Sequence, residues 1–191
     1  MTVVAAVVDS NGVGYMVADS CLVEATGVHY RAGEGKVWRA GDMLLGWTGY
    51  LRTAQALRYG LTPPPPHGDG HDAFAYLCGP FVDAVRECVK AAGAGCAPSG
   101  DGSEKLDTSL LIVWRGRIFS LDTDLGIAVH GQAYAMGSGG LTALGALRAL
   151  WDYEPKVRLL RAAEIAAEVH SNVAPPYTLL STADVPPESH P

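Results

Sequence analysis

Four cysteines are few for a chain of 191 residues, and Cys21, Cys78, Cys88 and Cys96 contain no CxxC pair. A zinc ribbon or finger is therefore excluded. The histidines, His29, His67, His71, His130, His170 and His190, show no HExxH or comparable ligand spacing, so no metal is expected. There is no GxxxxGK[ST] loop and no GxGxxG after a first strand, which removes the common nucleotide-binding signatures and any cofactor they would hold. The GxSxG elbow of Ser-His-Asp hydrolases is missing too. Charge is sparse at 18%, and 14 Lys+Arg against 20 Asp+Glu leave a net charge of -6, which argues against nucleic acid as a partner. No unbroken apolar run reaches the roughly 18–20 residues of a membrane span. The apolar start lacks a basic n-region and carries Asp9, so it is a poor secretory signal. Unpaired thiols then point to a reducing, cytoplasmic setting.

What is present is a chain with 48% hydrophobic residues, enough for one core. One domain is expected over residues 1–181, with a Pro-rich, disordered tail over 182–191. The β-branched run 3–8, the turn Ser10-Asn11-Gly12 and a second apolar run 13–19 predict a hairpin. Residues 36–40 and 43–48 predict a second one around Gly41-Asp42. A helix is predicted over 50–59 and is broken by Pro63 to Pro66. Residues 72–92 predict a long amphipathic helix with Phe74, Leu77, Cys78, Phe81, Val82, Val85 and Val89 on its buried face. A flexible Gly/Ser-rich loop is expected over 93–105. Strands follow at 108–114, 117–122 and 133–136, then helices at 141–152 and 158–171, then a strand at 177–181. Strands, two helices, strands, two helices, strand is an α+β order, satisfied by two antiparallel sheets with helix pairs on the outer faces.

The candidate chemistry begins at Thr2. Removing Met1 would leave a threonine with both a hydroxyl and a free α-amine. The hydroxyl needs a base, and an α-amine with a pKa of about 7.7–8.0 can supply one. Asp19 ends the second apolar run, where a carboxylate is partly buried and needs a cation. Lys36, at the start of the next strand, is the candidate. An Asp19–Lys36 pair beside Thr2 would aim an ammonium at the hydroxyl, favour alkoxide character and disfavour protonation of the amine. Gly46-Trp47-Thr48-Gly49 is a strand-to-helix junction whose amides could form an oxyanion hole. Gly137-Ser138-Gly139-Gly140 opens a helix and sets a serine hydroxyl there. Each motif alone has a plain structural reading: a threonine after the start, a surface lysine, a turn, an N-cap serine. Cys21 is the next nucleophile in line, with Ser138.

Taken together and in order, these pieces resemble the N-terminal-threonine proteases, that is, proteasome β-subunits and, more closely, the HslV-type peptidase subunit. The likeness runs over about residues 2–181 through Thr2-Val3-Val4, Ala18-Asp19, Lys36-Val37, Gly46 to Gly49, Ser109 to Ile112, and Ala135 to Gly140 leading to Ala143 and Ala146. The resemblance implies a four-layer αββα sandwich of the N-terminal-nucleophile hydrolase type. It implies Thr2 as nucleophile with its own amine as base, Asp19 and Lys36 as the tuning pair, the Gly49 amide on the oxyanion, and Ser138 beside the amine. An acidic residue and a serine three positions later stand near the end of the family's penultimate helix, and Glu168 and Ser171 match that spacing. Leu22, Glu34 and Trp47 would line the pocket for the residue before the cleaved bond. Glu168 replaces the family's usual Asp, and Trp47 is bulkier than is usual at its place, so a divergent bacterial or phage branch is implied. The expected activity is that of a self-compartmentalising endopeptidase in homo-oligomeric stacked rings, acting on unfolded protein or peptides and fed by an ATP-dependent unfoldase. Two other readings stand beside it: a small-molecule amidase of the same superfamily, and an inert ring subunit.

Overall fold

A computed structural model describes residues 2–24, 26–66, 72–98 and 104–184, without the side chains of 96–98. The expected first hairpin forms as β1 (Val4–Val8) and β2 (Gly14–Ala18), with the Asp9 carboxylate accepting the Asn11 and Val13 amides in the turn. β12 (Ala133–Met136) and β13 (Thr178–Ser181) flank it, giving one antiparallel sheet in the order β12-β1-β2-β13. The second sheet runs β11-β10-β9-β6-β5 and is built from β5 (Val37–Ala40), β6 (Met43–Gly49), β9 (Thr108–Trp114), β10 (Arg117–Leu121) and β11 (Ile127–His130).

Three apolar clusters define the layers. In β1, Val4, Ala6 and Val8 face the second sheet and meet Leu44, Leu111, Val113 and Ile118. Val3, Ala5 and Val7 point the other way, onto α4 (Gly140–Ala149) and α5 (Pro155–Val169), against Ala143, Leu147, Leu159 and Ala163. The outer face of the second sheet offers Leu45, Leu110, Ile112 and Phe119 to α1 (Leu51–Gly60) and α3 (Val82–Ala91). A strand buried on both faces reads as a continuous apolar run, which is why residues 3–8 show no alternation. The architecture is the expected αββα sandwich.

Several local expectations are corrected. The long helix over 72–92 is α2 (Ala73–Tyr76), a π turn at Leu77–Phe81 and then α3. Pro80 inside that turn has no N–H to continue the α-helical ladder, and the wider turn advances the buried face. Phe74 and Cys78 therefore face solvent, while Ala73, Tyr76 and Leu77 take the core. The loop expected over 93–105 contains a short hairpin, β7 (Cys96–Pro98) with β8 (Glu104–Leu106). A further hairpin, β3 (Cys21–Val23) with β4 (His29–Arg31), and strand β11 are not foreshadowed by any sequence period. Helix α5 starts earlier than expected, at Pro155 behind a Glu154 side-chain cap, and ends at Val169. Of the tail, residues 182–184 form a turn in which the Asp184 carboxylate accepts the Ser181 amide, and 185–191 lie outside the described residues. Among the described residues no helix is long and apolar enough to cross a membrane.

Candidate active site

The ladder registers bring the candidate residues to one end of the two sheets. β1 pairs Val4 with Ala18 on one side and with Met136 on the other. Asp19 and the Gly137-Ser138 turn therefore flank the residues just ahead of β1. Lys36 directly precedes β5 in the facing sheet, and its carbonyl accepts the Trp47 amide at 3.1 Å. Its side chain crosses the inter-sheet layer and is fully buried.

The Lys36 Nζ donates to Thr2 Oγ1 at 2.8 Å, to Asp19 Oδ1 and Oδ2 at 3.0 and 3.1 Å, and to the Cys21 carbonyl at 2.5 Å. The Asp19 carboxylate is itself fixed, accepting the Val3 and Cys21 amides at 2.9 Å each. Burial pushes the Lys36 ammonium below the usual lysine value, with the Asp19 carboxylate opposing the shift. Such an arrangement is built to hold one positive charge at a hydroxyl without access to water.

Ser138 stands on the other side of Thr2, where its Oγ accepts from the Thr2 backbone nitrogen at 3.2 Å. The Thr2 carbonyl accepts the Gly139 amide at 3.2 Å and the Ser138 hydroxyl at 3.4 Å. This closeness depends on Gly137, whose φ is +91° and where a Cβ would lie 2.2 Å from the Thr2 oxygen.

A cavity of about 340 Å³ opens beside Thr2, lined by Leu22, Tyr30, Trp47, Gly49, Tyr50 and Leu51. A second, of about 350 Å³, shares Leu22, Tyr30, Trp47 and Leu51 and extends to Glu34, Gln55 and Arg58. Trp47 is thus both packed in the helix–sheet core and exposed at its edge to two cavities, so pocket and core positions are not exclusive.

Thr2, Asp19, Lys36 and Ser138 are brought together by hydrogen bonds, and Gly49, Leu22 and Trp47 share the cavity with Thr2. Glu168 and Ser171 are not drawn in: both are exposed, and among the described residues neither side chain makes a hydrogen bond or ion pair. From that side of the fold, Val173 and the Ala174 carbonyl approach the cluster. Val173 packs where a Cβ on Gly139 would be, and the Ala174 carbonyl accepts the Ser20 amide at 3.1 Å. The Cys21 carbonyl on Lys36 and Tyr30 in the cavity wall carry no sequence signature, because a backbone oxygen and a short strand have none. Cys21, a free thiol, lies 3.7 Å from His29 Nδ1, and burial followed by the nearby Asp19 raises its pKa, which disfavours the thiolate a cysteine nucleophile needs. His67, His71 and His190 lie outside the described residues, among which no three His, Cys, Asp or Glu side chains cluster to hold a metal.

The layers are those of the four-layer αββα sandwich. Solved structures agree. The chain is similar to BPH of Thiobacillus denitrificans in complex with epoxomicin, at 20% identity and a TM-score of 0.73, covering 93% of this chain and 97% of that one. It is similar to the eukaryotic HslV of Trypanosoma brucei, at 16% identity and a TM-score of 0.65, with 93% and 98% covered. It is similar to Anbu of Pseudomonas aeruginosa, seen as a helical assembly, at 15% identity and a TM-score of 0.66, with 94% and 80% covered. No protein-family model matches the sequence, and no curated protein matches it.

Proposed function

We propose that this chain is a threonine-type peptidase whose nucleophile is Thr2, active once whatever precedes that residue has been removed. The observation that carries the reading is the buried Lys36 ammonium, 2.8 Å from Thr2 Oγ1 and held there by Asp19. An ammonium so placed favours alkoxide character on Oγ1 and keeps the neighbouring amine neutral near pH 7. The freed amine takes the hydroxyl proton, with Ser138 Oγ as its hydrogen-bond partner. Oγ1 attacks the peptide carbonyl, and the tetrahedral oxyanion is received by the Gly49 amide at the cavity edge. Collapse releases the amine product and leaves an ester on Thr2, which water hydrolyses. The side chain before the cleaved bond enters between Leu22 and Trp47 toward Glu34.

Unfolded polypeptide is the substrate this reading favours, with homo-oligomeric rings sequestering the sites and an unfoldase feeding them in the cytoplasm. Support for assembly comes from the shared fold with HslV and with Anbu, which forms a helical assembly in Pseudomonas aeruginosa.

The test is covalent. A peptide epoxyketone needs both a hydroxyl and a free amine on one residue to form its cyclic adduct, and epoxomicin is bound by the similar BPH. Intact mass and peptide mapping should find one adduct per chain, on Thr2, in chains that begin at Thr2. Chains with a free Thr2 amine that stay unlabelled, or carry the label on Cys21, refute the proposal. Light scattering on the same sample separates a ring-forming peptidase from a monomeric small-molecule amidase, and Thr2→Ala should abolish turnover while keeping the assembly.

A further inference from the structure

Lys36 is delivered by a loop, Ala32-Gly33-Glu34-Gly35, that has no regular secondary structure of its own. With two glycines in four residues, its conformation must be imposed from outside. Contacts with Ser20, β13 and helix α1 do so. The Ala32 amide donates to the Ser20 carbonyl at 2.8 Å. Gly35 is pressed against β13, where a Cβ would lie 2.5 Å from Thr178 Oγ1. On the opposite side, Arg58 in the last turn of α1 donates from Nη1 to the Gly35 carbonyl at 2.6 Å, and its Nε lies 3.3 Å from Glu34 Oε2. Tyr59 donates its hydroxyl to the same Glu34 oxygen.

Gly35 is the residue before Lys36, so a displaced Gly35 carbonyl rotates the peptide that starts the lysine. The lysine tip has little room, being bonded on three sides by Thr2, Asp19 and Cys21. Resting on the peptidase reading of Thr2 and Lys36, we infer that Arg58 is a positioning residue for Lys36, acting through the Gly35 carbonyl and Glu34 from the wall of the second cavity. Arg58 and Glu34 line that cavity together with Leu22 and Trp47. A substrate side chain that reaches its polar end therefore touches the same contacts that set the lysine.

The experiment uses the full chain with its Thr2 amine free and a small epoxyketone that leaves the second cavity empty. Labelling rate and final stoichiometry are measured from pH 5 to 9 for wild type, Arg58→Gln, Arg58→Lys and Arg52→Gln. The last variant removes the same charge from the same helix, at a side chain that, among the described residues, bonds the Ala92 carbonyl on the surface. Among the described residues, the charged and titratable groups around Thr2 are Lys36, Asp19, the Cys21 thiol with His29 beside it, and Tyr30 and Tyr50 in the cavity wall, and none of them is altered. Arg58→Gln should reach the wild-type stoichiometry at a rate about 10- to 100-fold lower, the scale of a small misplacement at a reacting centre. The acid midpoint should move up toward the ordinary α-amine range of about 7.7–8.0 as the ammonium drifts from Thr2. Arg58→Lys should recover part of the rate, since it keeps one charged donor for the Gly35 carbonyl, and Arg52→Gln should match wild type. An Arg58→Gln rate and midpoint equal to wild type overturn the inference. Lost stoichiometry with an unchanged rate per labelled site also overturns it, since that is a folding defect. Wild-type chains that fail to label on Thr2 overturn the peptidase reading itself, and this inference with it.

Discussion

Replacing Lys36 with methionine removes one charge and little volume, and the contacts of the ammonium set the size of the effect. The ammonium is fully buried and touches Thr2 Oγ1 at 2.8 Å and the Asp19 carboxylate at 3.0 Å. A pair at that distance attracts by about 5 kcal/mol at an effective dielectric near 20. Breaking a buried pair from one side typically costs ~3–5 kcal/mol, because the other charge stays behind unpaired. Here the Val3 and Cys21 amides still hold Asp19, each at 2.9 Å, so a loss toward about 3 kcal/mol is expected. The catalytic loss is separate. Lys36 stabilises the negative charge that develops on Thr2 Oγ1, and losing one preorganised donor of that kind costs on the scale known for oxyanion donors, roughly 3–4 kcal/mol or about 10²–10³-fold in rate. The assay is single-turnover labelling of Thr2 at a temperature where a thermal melt shows the variant folded. Lys36→Arg should not rescue the rate, because a planar guanidinium does not fit among contacts of 2.5–3.1 Å. A folded Lys36→Met variant within a few-fold of wild type would refute the role given to this charge.

The pH profile should be bell-shaped. Its acid limb is the Thr2 amine, lowered by the adjacent ammonium, and its alkaline limb is loss of the Lys36 proton at a pH below the usual 10.5. Because the unfolded chain binds that proton more tightly than the folded one, the cost of burying Lys36 weighs fully at lower pH and is relieved as pH rises toward 10.5; a melt series across this range reads the sign. Trp47→Ala should cost about 3–5 kcal/mol in a denaturant melt, as large aromatic truncations do, and should raise relative activity on bulky aromatic substrates. An unchanged substrate ranking rules out its pocket role. Gly137→Ala forces a Cβ to within 2.2 Å of the Thr2 carbonyl at a φ of +91°, so labelling of Thr2 should slow by at least ~10-fold while the melt shifts by about 1–3 kcal/mol.

The apolar runs and their turns determined the layer order by themselves. A chain whose strands are buried on both faces must place sheets back to back, and helices with one apolar stripe must cover the outside. Thr2, Asp19, Lys36 and Ser138 were legible for a related reason: each stands at the edge of a predicted element, where register leaves it little freedom. What the sequence left open depended on contacts between distant segments. The hairpin Cys21–Val23 with His29–Arg31 is three residues a side, too short to show a period, and exists because Asp19 and Lys36 pin its first residue. The face of the 73–91 helix turned on one missing N–H at Pro80, which moved Phe74 and Cys78 to solvent. Glu168 and Ser171 have the right spacing along the chain, but α5 ends between them and turns both outward. Spacing fixes neighbours within a helix, and only packing decides which of those neighbours faces the site.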